Sequence, residues 1–299
     1  MYRLILLLGF SLGTVWLVRE CRNSGSITDF QTDLIRLDTA AVQRIVIDPP
    51  GNRTAPFLLR RSPGRWIGQQ SGTVTELMPV SVETALAALV QVGTDSIFQE
   101  RRRQKLALNE SNSTQIRVQT SDAARAEAFF LHRRDSALLF SFAGEPEIYV
   151  LREPHPSALL RPFLVYRNRE LFREPPHRVH HVSLTRDDQS WVWSRDGERT
   201  WKLYGTQPAR HDAVTLYLMD LQETRVQEFA DDFSESDARL VADVVLKGAF
   251  ATPVRLRYFR EMLSDSTGRT VLHLNNRPND YFYVESPNWN RLVAPVPSE

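Results

Sequence analysis

The sequence predicts an α+β fold. It consists of two tandem copies of an antiparallel sheet module with one covering helix, placed after an N-terminal hydrophobic helix. Three observations lead there. The order of expected elements is the same in both halves of the 299-residue chain. Short turns join the strands, which favours antiparallel pairing. Each half also carries one amphipathic helix able to close a sheet face.

Residues 4–18, LILLLGFSLGTVWLV, carry no charge and are flanked by Arg3, Arg19, Glu20 and Arg22. A spanning helix wants about 20 apolar residues, with about 17 as the low end. Tyr2 and Trp16 at the interfaces, with snorkelling arginines, would let a shorter run span. Residues 1–21 are therefore expected to anchor the chain in a membrane. The alternative is a signal cleaved near Ser24 and Ser26. Either reading puts the body outside the cytoplasm: a cell-membrane protein with a single pass, or a secreted or periplasmic one. Cys21 stands where a lipoprotein cysteine would, but Arg19 and Glu20 occupy the places of the small residues such a signal needs. Residues 22–36 read as a polar tether.

The first repeat is expected over 37–170. Val42-Gln43-Arg44-Ile45-Val46-Ile47 alternates as a half-buried strand does. Pro49-Pro50-Gly51-Asn52 is a turn, Phe57-Leu58-Leu59 a strand, Ser62-Pro63-Gly64 a turn, and Arg65-Trp66-Ile67 a strand. Pro79 and Ser81 open a helix whose Val82, Leu86, Leu89 and Val90 share one face, and Gly93 ends it. Strands follow at 115–119, 128–132 and 148–151.

Pro175-Pro176 marks a linker at 171–178, and the second repeat is expected over 179–299. Its strands are His180 to Leu184, Trp191 to Trp193 and Thr200 to Leu203. A helix spans about Asp212 to Gln222, and strands follow at 253–258, 270–274 and 281–284. An extra helix is expected over about Glu235 to Lys247, with Leu240, Val241, Val244 and Val245. The halves align with drifting offsets: Val42 with Val179, Trp66 with Trp201, Phe98 with Phe229, Arg117 with Arg255, and Ile148 with Phe282.

Composition narrows the function classes. With 42% hydrophobic residues, 37 basic and 36 acidic side chains and a net charge of +1, the chain is neither a disordered polyampholyte nor a nucleic-acid polycation. One cysteine excludes an intrachain disulfide framework and a multi-thiolate zinc site. Phosphate loops, the dinucleotide fingerprint and the zincin motif do not occur, and the G-x-S-x-G pattern occurs only as Gly9 to Gly13, inside the apolar run and not in a strand-to-helix turn of the body. No catalytic residue, cofactor or metal is therefore expected.

Weaker chemical signals remain. His177 and His181 would share a strand face, the beginning of a metal site, but a solvated strand start is the preferred explanation of them. Asp187-Asp188 and Asp231-Asp232 are adjacent carboxylates, and turn residues do not face each other across a cleft as glycosidase acids do. Trp191 and Trp193 share one face of a strand, as do Tyr281 and Tyr283; with Trp289 they could stack on a partner or pack on the covering helix. Arg101, Arg102 and Arg103, within the basic run ending at Lys105, could bind an anionic partner or form a solvated loop. The residues singled out for partner binding are Trp191, Trp193, Arg101, Arg102 and Arg103.

The opening of each repeat carries a resemblance. Val42-Gln43-Arg44-Ile45-Val46-Ile47, Gly64-Arg65-Trp66, the helix Val82 to Leu89, Ile148-Tyr149-Val150-Leu151 and Arg167-Asn168-Arg169 resemble the domain of unknown function 4340 family over about residues 36–230. Members are envelope-anchored proteins, and some accompany ABC-type transport systems, including ones linked to gliding motility. The resemblance implies a non-enzymatic accessory or binding role in the cell envelope, partnering ABC transporter subunits, with no site residue to carry over. The competing expectation is an envelope hydrolase or polysaccharide-binding enzyme with carboxylates converging between the repeats.

Overall fold

The computed structural model describes residues 34–51, 54–98, 110–121, 126–145, 147–153, 156–197, 200–204, 207–209, 211–262, 268–285 and 292–293. The expected anchor, Cys21, most of the tether, Arg101 to Lys105 and Trp289 lie outside them. Among the described residues no helix is long and apolar enough to cross a membrane.

Two nine-stranded antiparallel sheets form the frame. The first holds β1 (Val42–Asp48), β2 (Phe57–Ser62), β3 (Arg65–Gln70), β4 (Thr73–Glu76), β5 (Thr94–Phe98), β6 (Thr114–Thr120), β7 (Ala126–Arg134), β8 (Ala137–Phe142) and β9 (Ile148–Leu151), with helix α1 (Pro79–Val90) between β4 and β5. The second holds β10 (Val179–Arg186), β11 (Gln189–Asp196), β12 (Thr200–Leu203), β13 (Gln207–Ala209), β14 (Glu228–Phe229), β15 (Ala238–Gly248), β16 (Val254–Met262), β17 (Gly268–Leu274) and β18 (Arg277–Val284), with α2 (His211–Glu223) between β13 and β14. The strand orders are 4-3-2-1-6-7-8-9-5 and 13-12-11-10-15-16-17-18-14. Adding nine to every label of the first gives the second.

The correspondence reaches individual bonds. The pairing of β1 with β6 slips between Val42 and Arg44, and that of β10 with β15 slips between Val179 and His181. The Arg61 guanidinium lies 5.2 Å from the Trp66 ring and donates to the Ala40 carbonyl. Arg195 lies 5.3 Å from the Trp201 ring and donates to the His177 carbonyl, the counterpart of Ala40. The β10–β11 turn is Asp187-Asp188, both with positive φ as a two-residue hairpin requires.

Each sheet buries one face against its helix. Ile45, Ile47, Leu59, Ile116, Val118 and Phe129 meet Val82, Ala85, Leu86 and Leu89 of α1. Val182, Leu184, Trp193, Val244, Leu256 and Leu272 meet Val214, Leu218 and Leu221 of α2. Val90, expected on the buried face of α1, points outward.

The extra helix expected at 235–247 is instead strand β15. Ala242, Val244 and Leu246 turn inward at period two, and Leu240 is 46% exposed. The same residues fit a helical spacing, but eleven residues paired on both sides with β10 and β16 outweigh that local pattern. Strands β4, β5, β8, β13 and β14 were also not expected. Consequently the matching of Arg117 with Arg255 is corrected: Arg117 lies on β6, whose counterpart is β15, while Arg255 lies on β16.

Gly68 on β3 is where the first core closes most tightly. A Cβ there would sit 2.5 Å from Leu77 and from the Phe163 ring, which descends from a 3-10 turn at Phe163–Val165. Gly68→Ala should cost about 1–3 kcal/mol through overpacking, read as a lowered midpoint in chemical denaturation.

Candidate functional site

Chemistry-bearing side chains gather where the two modules meet. The chain there runs as an extended bridge, Arg167 to Glu170. On one side Arg167 bridges to Leu77, and the Asn168 amide donates to the Glu76 carbonyl at 3.0 Å. On the other, Glu170 bridges to Arg225, and the Val226 amide donates to the Arg169 carbonyl at 3.1 Å. Four residues are thus stitched to both modules.

Arg167 is 2% exposed at the centre of this seam. Its Nη1 donates to both carboxylate oxygens of Asp231 at 2.7 Å, and its Nη2 to Oδ1 of Asp280 at 3.0 Å. The guanidinium lies on the Phe229 ring, 3.6 Å from its centroid. Asp280, 1% exposed, takes a further bond at Oδ2 from the Thr75 hydroxyl of the first module at 2.7 Å. Burial pushes the Asp280 carboxyl above its ordinary range, against the opposing pull of Thr75 and Arg167. Arg277 is buried too, and donates to the backbone carbonyls of Asn168 (2.9 Å) and Glu170. Burial lowers its affinity for the proton.

Beside the seam opens a cleft of about 290 Å³, lined by Glu76, Glu170, Arg173, Phe250 and Arg277. Glu76 and Glu170 do converge there. Arg173 stands between them, 2.7 Å from Glu76 and 2.5 Å from Glu170. Arg65 also reaches Glu76 at 3.4 Å, and Arg225 reaches Glu170 at 3.0 Å. Each carboxylate of the seam therefore holds at least one guanidinium. Asp280, the one pushed up by burial, is sealed from solvent. This arrangement ties one module to the other through its charges.

A second cluster lies on the outer face of the second sheet, under residues 230–237. Phe233 packs on Phe259 and Tyr281, with centroids 5.6 and 5.1 Å apart. Glu235 accepts from Arg257 at 2.8 and 3.1 Å and from the Tyr281 hydroxyl at 2.9 Å. His273 stacks on Tyr281, its Nδ1 lies 2.8 Å from Arg257 Nη2, and its Nε2 lies 3.3 Å from the Pro278 carbonyl. A guanidinium can only donate, so Nδ1 accepts, Nε2 carries the proton, and the ring is neutral. Burial first, and Arg257 second, hold the imidazole below its usual range.

Of the residues singled out for partner binding in the sequence, the described ones, Trp191 and Trp193, both belong to the second core. Trp193 is 1% exposed inside the second core, which corrects its place among the partner-binding candidates, since it offers no surface. Trp191 is half-buried against the same core. Arg101, Arg102 and Arg103 lie outside the described residues. His177 sits in a 3-10 turn at Pro176–Arg178 and is exposed. Among the described residues no three His, Cys, Asp or Glu side chains gather to hold a metal ion. Asp231-Asp232 is a turn, as expected, but it also supplies both Asp231 oxygens to Nη1 of Arg167 and an acceptor for the Tyr283 hydroxyl. Asp280 and Arg277 were missed. One signal existed: Asp280 shares strand parity with buried Phe282, so it had to point inward.

No family model matches the chain, nor does any curated protein or solved structure.

Two measurements probe these clusters. Arg167→Met should cost about 3–5 kcal/mol, because it strands the Asp280 carboxylate in the seam. Arg167→Met combined with Asp280→Leu should recover most of that loss, a coupling visible in a double-mutant cycle of denaturation midpoints. For His273 the folded state disfavours the charged ring, so its contribution is fully present above the unfolded value of about 6.5 and is lost as pH falls below it. The gap in thermal midpoint between wild type and His273→Gln should therefore narrow from pH 7.5 to pH 5.

Proposed function

We propose that this chain is a membrane-tethered, extracytoplasmic accessory protein that binds a partner and performs no catalysis. Residues 4–18 would anchor it, and residues 22–36 would hold the body off the bilayer. Its resemblance to the domain of unknown function 4340 family makes subunits of an ABC-type transport system in the cell envelope the first partners to test. The identical strand orders support reading the body as two copies of one ancestral module, each closed by its helix.

The observation that carries this reading is how the seam uses its charges. Five arginines (65, 167, 173, 225 and 277) and four carboxylates (Glu76, Glu170, Asp231, Asp280) lie between the modules, and the carboxylates are held by arginines. Groups spent on a rigid joint leave the sheet faces as the surfaces that meet something else.

The second reading, an envelope hydrolase acting between the modules, draws on Glu76 and Glu170 lining one cleft. The two readings separate in one preparation. Full-length chain purified from detergent-solubilised membranes should carry a stable protein partner, identified by mass spectrometry. It should also leave fluorogenic polysaccharide and ester substrates uncleaved. A preparation without partner, whose hydrolysis disappears in Glu76→Gln, would reverse the assignment.

A further inference from the structure

The outer face of the first sheet holds a charge arrangement that its counterpart lacks. Arg44 on β1 stands directly opposite Arg60 on β2. Arg117 on β6 stands opposite Val46, two residues along β1 from Arg44. Directly paired residues share a face, so all three guanidiniums point the same way. All three side chains are exposed, and Val46, Leu58 and Phe130 lie half-buried on the same face. Among the described residues no hydrogen bond or ion pair holds any of the three arginines. Like charges directly opposite each other destabilise a sheet.

The second module provides an internal control. Register places His181 at the position of Arg44, Ser194 at that of Arg60 and Val245 at that of Arg117. Arginines on that face are matched by acids instead: Arg255 with Asp243 at 2.7 Å and Arg257 with Glu235 at 2.8 Å.

We infer that the outer face of β1, β2 and β6 docks an acidic protein segment, which sets apolar side chains over Val46 and Leu58 and carboxylates over Arg44, Arg60 and Arg117. Arginine beside an apolar floor is the usual make-up of a protein interface. A guanidinium fork also matches a carboxylate in two bonds. A bilayer fits less well: the apolar groups lie half-buried on the floor between longer guanidiniums, so a ligand must bring its own apolar side chains down to them. This deepens the partner-binding reading and rests on it.

The test uses full-length chain in detergent micelles as bait for phage-displayed random twelve-residue peptides. Enriched peptides should combine Asp or Glu with apolar residues. They should lose at least about tenfold in affinity against the triple variant Arg44→Gln, Arg60→Gln, Arg117→Gln, and keep it against Arg239→Gln. The triple variant should also melt about 1–3 °C higher, since it removes a repulsion. Peptides without acidic bias, no enrichment, or binding unchanged in the triple variant would overturn the inference. So would competition by glycerol 3-phosphate at the peptide's own potency, which would assign the face to phosphate. If the partner captured from membranes is still retained by the triple variant, this face is excluded while the partner-binding reading stands.

Discussion

One guanidinium organises the molecule. Arg167 lies where the chain passes from the first module to the second, and burying its charge there would be prohibitive without compensation. The compensation comes from far along the sequence, from Asp231 and Asp280 in the second module. Asp280 is completed in turn by Thr75 of the first. Neither module can satisfy these groups alone. A displacement of about an ångström between the modules would strand a buried charge, so the pair defines one relative placement. Apolar contacts alone define orientation less sharply, because sliding exchanges one greasy contact for another. The stabilisation gained is small against the desolvation involved. The return is specificity of arrangement.

The same seam protects a sheet edge. β4 is an outer strand of the first sheet, and an unpaired edge invites a foreign strand. Here Asn168 occupies the Glu76 carbonyl and Asn279 donates to the Val74 carbonyl at 3.1 Å. The joint that fixes the modules therefore also closes part of the edge through which sheets of this width associate. Strand β14, at an edge of the second sheet, is two residues long and presents little to pair with.

What the sequence made legible follows from the range of the forces involved. Helices α1 and α2 were readable because Val82, Leu86 and Leu89, and Val214, Leu218 and Leu221, repeat at local spacing. The Trp66 and Trp201 correspondence was readable because each tryptophan closely follows a glycine turn, at Gly64 and at Gly197. β15 was not, because Leu240, Val241, Val244 and Val245 fit a helix and a strand alike until partners on both sides are known. The short strands β13 and β14 hold too few residues to show a period. The seam was visible only as the Arg167-Asn168-Arg169 motif. Its meaning depends on carboxylates 64 and 113 positions away, and no local pattern signals a contact at that separation.

The matching strand orders hold architecture constant while the chemistry on the two sheets differs. Two sheets of the same strand order, slipped at the same pairing and tied by the same arginine–tryptophan contact, present different chemistry on equivalent faces. In the second module, the loop over β16 to β18 covers part of that face, and its arginines meet Asp243 and Glu235. In the first, three arginines share a face with one acid, Asp48, and none of them is ion-paired among the described residues. Folding explains what the two faces share; it does not explain an uncompensated repulsion present in one and absent from the other. That difference is the ground for the docking proposed on the first sheet's outer face. The rigid seam then matters for a mechanical reason: it holds that face at a fixed attitude to the second module.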